Sequence, residues 1–152
     1  MKGVMQLNVA EVTLNPSPIC PDWVLEGSPV ARNHVLSHSA DGTATTLFWD
    51  CTAGRFNWFY DVDETVYVIE GGVVLKDDAG VTRCLNAGDS FYFPAGSHAE
   101  WHVENYIRKI AFCRTPLPRG LVFAKRVFRW FLSRLTSNGR SADAPTAVSQ
   151  NN

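Results

Sequence analysis

The sequence predicts an all-β domain, an antiparallel sandwich or small barrel, and three observations carry that expectation. Short runs rich in β-branched and aromatic residues recur from Arg32 to Arg114, separated by turns that bear glycine. No segment of helical period lies between them, as a parallel α/β fold would require. A chain of 152 residues is also long enough for one domain with a core of its own.

The elements follow in order. Residues 1–29 carry Pro16, Pro18, Pro21 and Pro29 and read as an extended arm laid over the body. The barrel domain spans residues 30–115. "NHVLSHS" runs into the turn "ADG", followed by "TATTLFWDCT" and then "AGRF". "ETVYVIEG" leads to "GVVLK", and the hairpin turn "DDAG" leads to "VTRCL". "NAGDSFYFPAG" and "HAEWHVEN" supply further turns and strands, and "IRKIAFCR" closes the series. Residues 117–137 change character and predict an amphipathic helix. Leu121, Ala124, Phe128, Phe131 and Leu135 form its apolar stripe, with Lys125, Arg126, Arg129 and Ser133 on another side. Pro118 stands before its start and Asn138-Gly139 supplies the stop. Residues 138–152 are small and polar and read as a disordered tail.

The net charge of −1 hides an asymmetry. From Met1 to Glu104 there are five Lys/Arg against fourteen Asp/Glu, whereas Asn105 to Ala142 holds nine Lys/Arg and no acid. A basic segment of this kind is either a solvated helix face or a means of meeting an anionic partner. The acidic body argues against nucleic acid. Aromatics interleaved with Lys/Arg over residues 117–137 leave a membrane surface open as a partner. Cys20, Cys51, Cys84 and Cys113 lie far apart with no zinc-module spacing, and the start "MKGVMQLNVAEV" lacks the apolar stretch of a secretory signal. Both features point to free thiols in a reducing cytoplasm.

Two spacings sharpen the fold. Glu64 is followed after six residues by Gly71, and "GDSFYFPAG" sets Gly88, Pro94 and Gly96 in the order G-x5-P-x-G. Together they resemble the paired motifs of the cupin superfamily, G-x5-H-x-H-x3,4-E-x6-G and G-x5-P-x-G-x2-H-x3-N. "CTAGRFNWFYDVDETVYVIEGGVVLKDDAG" and "AGDSFYFPAGSHAEWHVENYIRKIAF" are similar to the small single-domain cupins grouped with ureidoglycine aminohydrolase and the ethanolamine-utilisation cupin. The resemblance covers about residues 30–114 and implies a jelly-roll β-barrel (a double-stranded β-helix), often dimeric, with its pocket inside.

That family implies a metal site of three His and one Glu. Carried over by position, Glu64 keeps the Glu place, Trp58 and Tyr60 stand where two His belong, and Ala99 stands in the last. One carboxylate without imidazoles does not hold a transition ion usefully. His98 is one residue from the expected place, where a strand turns its side chain to the other face unless a bulge intervenes. The expectation is no metal and no cofactor, and ureidoglycine hydrolysis, which depends on the metal, is not carried over.

Glu64 then needs another explanation. Trp58, Tyr60, Val66 and Val68 share its strand parity, and Ala99 and Trp101 share that of the missing His. If these faces point inward, the carboxylate looks into a cavity of indole and phenol rings and requires a cation. The resemblance implies Lys109, in "YIRKIAF", as that cation. The candidate binding set is Trp58, Tyr60, Glu64, Trp101 and Lys109, with Tyr60, Glu64 and Lys109 as the acid–base groups. The ligand expected is a small polar or amine-bearing metabolite, in a homodimer. The alternatives are a core plugged by tryptophans, a metal-dependent cupin enzyme, and an interaction protein docking through its basic helix.

Overall fold

A computed structural model of the chain describes residues 10–118, together with Val4, Gln6, Asn8 and Gly120. Residues 1–116 form one compact unit. The helix expected over 117–137, apart from Leu117, Pro118 and Gly120, and the whole of the tail after it lie outside the described residues.

The runs anticipated as short strands join into longer ones. The elements are β1 (Asn15–Pro16), a single 3-10 turn (Pro21–Trp23), β2 (Val24–Gly27), β3 (Ala31–His38), β4 (Ala44–Phe59), β5 (Asp63–Asp77), β6 (Thr82–Asn86), β7 (Ser90–Phe93) and β8 (His98–Arg114). "TATTLFWDCT" and "AGRF" are thus one strand, as are "ETVYVIEG" with "GVVLK" and "HAEWHVEN" with "IRKIAFCR". Register shifts explain why each looked broken. β4 slips against β8 between Thr52 and Gly54, and β5 slips against β8 at Val68/Glu70 and at Gly71/Val74. A bulge bends a strand without ending it. At Gly71 the bend is only open to glycine: φ is +71°, and a Cβ would overlap the Tyr106 carbonyl of β8.

All pairings are antiparallel, in the order β1-β3-β4-β8-β5-β6, with β2 added to β4 and β7 added to β5. β8 is the spine. Its residues 98–103 meet the end of β4 and residues 74–77 of β5, while residues 106–114 meet the start of both strands. The arm is therefore not featureless, since β1 pairs with β3 and β2 with β4, and the "PDW" turn between them faces the end of β4.

Alternation at period two divides the long strands into faces. Trp49, Cys51, Phe56, Val66, Val68, Val73, Leu75, Ala99, Trp101, Val103 and Ile107 belong to the buried core. Burying aromatics of this size contributes most of the apolar driving force, at about 25 cal/mol per Å² removed from water. Three charged side chains are buried among them: Asp50, Glu64 and Lys109. Among the described residues no helix is long and apolar enough to cross a membrane.

Candidate functional site

One end of the barrel is open. A cleft of about 760 Å³ is lined by Trp23, Leu47, Trp58, Phe59, Tyr60, Asp61, Val62, Glu64, Gly96, Ser97 and Cys113. It is largely apolar, with the few polar groups that ligand sites use to fix orientation.

Local chemistry places Tyr60 and Glu64 there. β4 ends at Phe59, and the Asp61–Val62 turn reverses the chain into β5. This turn is tied to the Pro94–Ser97 turn opposite. Gly96 N–H donates to the Tyr60 carbonyl at 2.6 Å, and Tyr60 N–H donates to the Ser97 carbonyl at 3.0 Å. Asp63 Oδ1 accepts from Ala95 N–H and from Tyr92 Oη, each at 3.1 Å, and Arg114 Nη2 donates to its other oxygen. The Ala95 amide, with the Arg114 guanidinium next, holds the Asp63 carboxyl below the ordinary range. The P-x-G spacing legible in the sequence is the hinge of this clamp.

Beneath the cleft the groups are dry. Lys109 Nζ donates to Glu64 Oε1 at 2.6 Å, with the side chains only 4% and 9% exposed. The same ammonium stands over the Trp49 and Trp101 rings, 4.9 Å and 4.7 Å from their centroids. Register explains the meeting: Lys109 lies opposite Trp49 on β4 and opposite Val68 on β5, and Glu64 is opposite Cys113 further along β8. Trp101 Nε1 donates to Tyr60 Oη at 3.0 Å, and Tyr60 stacks on Phe93 with centroids 4.3 Å apart. Burial, with the Glu64 charge adding to it, pushes the Tyr60 phenol well above its ordinary range. Burial and the same carboxylate push the Cys113 thiol up to about 11. Neither group ionises near neutrality. Trp49 Nε1 is buried without an acceptor among the described residues, a position that water or a ligand oxygen commonly fills.

The structure brings Tyr60, Glu64, Trp101 and Lys109 into one connected cluster, and Trp58 stands beside it on the cleft wall, edge-on to Trp49 with centroids 5.9 Å apart. Lys109 and Trp101 support the floor; they do not line the cleft. The four places of the family's metal set hold an indole, a phenol engaged by Trp101, a carboxylate engaged by an ammonium, and the buried methyl of Ala99. This donor set does not fit a divalent transition ion. His98 pairs across β4 with Phe59 while Ala99 pairs with Trp58, so no bulge turns the imidazole inward; it is half exposed, pairs with Asp78 and stacks on Phe59. His34 and His38 bond to Thr13 and Thr45, and His102 is exposed. No group of three or more His, Cys, Asp or Glu is arranged for a metal among the described residues.

Sequence reasoning passes over Trp23, Phe59, Ser97 and Cys113. Trp23 belongs to the arm, and its only signal is a Pro-Asp turn opening before a β-prone run. Cys113 meets Glu64 through pairing between β5 and β8, which strand parity within one run does not reveal, and Phe59 has the parity opposite to that of Trp58 and Tyr60.

Comparison with known proteins places the molecule. Residues 38–111 match the EutQ-like cupin domain. The all-β sheet is consistent with the jelly roll of that class, and the match supports a place for this domain in the cupin superfamily, in its EutQ-like group. A protein of unknown function of the DUF861 family from Pseudomonas syringae pv. tomato is 27% identical, with a TM-score of 0.63, over 68% of this chain and 45% of that one. The match thus spans less than half the length of that relative. The Clostridium difficile EutQ protein is 20% identical with a TM-score of 0.58, over 72% of this chain and 86% of its own. The polyketide cyclase RemF from Streptomyces resistomycificus is 17% identical with a TM-score of 0.56, over 76% of this chain and 82% of its own. At those identities the last two speak for the fold alone. No curated protein matches the chain.

Proposed function

We propose that this chain is a small-molecule cupin that works without the family's transition metal, taking a polar or amine-bearing metabolite into the open cleft to meet Glu64 and Tyr60. The observation that carries the reading is the Lys109–Glu64 pair, buried under an aromatic cleft that opens to solvent. Burying two charges is costly, and packed apolar residues of like volume serve stability as well or better. A buried pair next to an open cleft is better accounted for by recognition or proton transfer than by stability. Glu64 keeps acceptor capacity toward the cleft, and Tyr60 remains a phenol donor at neutral pH because its ionised form is disfavoured. Glu64, Lys109 and Tyr60 make an acid–base set of the kind that moves protons on a bound metabolite.

The metal-dependent reading has the donor set against it. Docking through the basic segment 117–137 concerns residues outside those described. Homodimerisation belongs to the proposal: Tyr67, Tyr92 and Phe112 are exposed on one outer face of β5, β7 and β8, where a second copy would cover them. Light scattering tests it.

The function itself is tested by a thermal-shift screen of small polar metabolites on the full chain and on Glu64→Gln, with NMR detection of product for each hit. A hit should raise the melting temperature of the wild type and lose most of that effect in Glu64→Gln. A ligand that stabilises both forms equally removes Glu64 from the site. A transition ion that copurifies at one per chain and is lost on Glu64→Gln overturns the metal-free reading.

A further inference from the structure

The chemistry of the cleft wall narrows the ligand class, on the understanding that the cleft is the binding site proposed above. Three rings form a corner at its mouth. Trp23 and Trp58 meet edge to face, with centroids 5.8 Å apart and planes at 75°, and Phe59 tilts against Trp23 with centroids 5.2 Å apart and planes at 58°. Trp23 and Trp58 are half-buried and Phe59 is exposed, so ring surface remains open to the cleft. Beside them stands Asp61, which is exposed and makes no hydrogen bond or ion pair among the described residues. Among the described residues no Lys, Arg or His lines the cleft. Lys109, beneath it, is already spent on Glu64.

An ordinary apolar pocket needs none of this arrangement. Ring faces carry negative potential and attract cations within about 6 Å of a centroid, most strongly from indole. A free carboxylate adds to that attraction, whereas an anionic ligand would meet the same carboxylate with no counter-charge among the described residues. The protein shows the principle internally, since the Lys109 ammonium is itself held between two indole faces and a carboxylate. We infer that the cleft recognises an organic ammonium ion, its cationic head set in the Trp23–Trp58–Phe59 corner beside Asp61 and its polar end directed to Tyr60 and Glu64.

The test compares two probes of equal shape, choline and its uncharged isostere 3,3-dimethyl-1-butanol, titrated onto the full chain and followed by intrinsic tryptophan fluorescence and calorimetry. Choline should bind about tenfold or more tightly than the neutral probe, the preference that cation–π and carboxylate attraction supply. Asp61→Asn should weaken choline several-fold and leave the neutral probe unchanged. Trp23→Leu should remove most of the preference, with circular dichroism confirming that the variant is folded. Raising salt should erode choline binding alone. Equal affinity for the two probes, no binding of either, or a preference untouched by both substitutions overturns the inference. The broader pocket reading fails separately, only if the metabolite screen yields no Glu64-dependent hit. A neutral or anionic hit that needs Glu64 keeps the pocket and discards the ammonium.

Discussion

Two buried carboxylates divide this molecule. Asp50, on β4, is fully answered: Arg32 Nε and Nη2 donate to its two oxygens at 3.0 Å and 2.6 Å, and Tyr106 Oη adds a third bond at 2.9 Å. Glu64, on β5, has one direct charge partner, Lys109, and an open cleft on its other side. Both sit on long central strands and both are shielded from water. They differ in saturation. A carboxylate with a bidentate arginine and a phenol has little left to offer a ligand and acts as a clasp between β3, β4 and β8. One with spare acceptor capacity facing a cavity is the candidate for the chemistry proposed above. Burial alone therefore does not separate these two acids; the count of donors does.

The largest test of this contrast is Lys109→Met, which strands the Glu64 charge in a dry site. It should cost about 3–5 kcal/mol, read as a fall in the urea midpoint, and the double variant Lys109→Met/Glu64→Met should recover most of the loss. A double variant as weak as the single would mean that packing, not charge, set the cost. Next comes Asp50→Asn, which weakens the clasp but leaves an amide oxygen to accept; Arg32 is half exposed and rehydrates. About 1–3 kcal/mol is expected, with ligand response in the thermal-shift assay unchanged. Should Asp50→Asn abolish that response, the division into clasp and site is mistaken.

Alkaline titration sharpens the comparison from the side of the cleft. The Cys113 and Cys51 thiols are raised from 9.0 to about 11 and about 12, chiefly by burial. A folded-state pKa above the unfolded value means that stability is level below pH 9 and declines as pH rises through the folded values. Each group buried in this way contributes a slope of at most about 1.4 kcal/mol per pH unit in that window. Melting temperatures at pH 8, 9 and 10.5 should show a plateau and then a fall, shallower in Cys51→Ser/Cys113→Ser. A fall already complete by pH 9 would contradict the direction of these shifts. The smallest effect belongs to Asp61→Asn, an exposed and unbonded position, where stability should stay within about 0.5 kcal/mol of wild type by chemical denaturation.

Much of the candidate site is legible along the chain. Alternation assigns Trp58, Tyr60, Glu64 and Trp101 to inward faces from parity alone, and the E-x6-G and P-x-G spacings locate the turns that frame them. Lys109 follows only from resemblance to relatives, because nothing in "IRKIAF" says which residue of another strand it will meet. Trp23 is illegible for a different reason: it reaches the cleft through an arm whose prolines conceal two short strands. Strand lengths are also longer than the sequence suggests, since a bulge with glycine looks in sequence like an end, while the hydrogen-bonded partner carries the strand through it.

The sequence by itself determined the all-β class, the inward-facing residues and the loss of the imidazoles from the metal places, because these depend on period-two alternation and on residue identity at fixed spacing. Only the tertiary structure decided that Lys109 closes on Glu64, that Asp50 is saturated while Glu64 is not, and that Trp23, Phe59 and Asp61 share one mouth. Those facts rest on register between strands distant in the chain, and register is set by the packing of the whole sheet rather than by any one run.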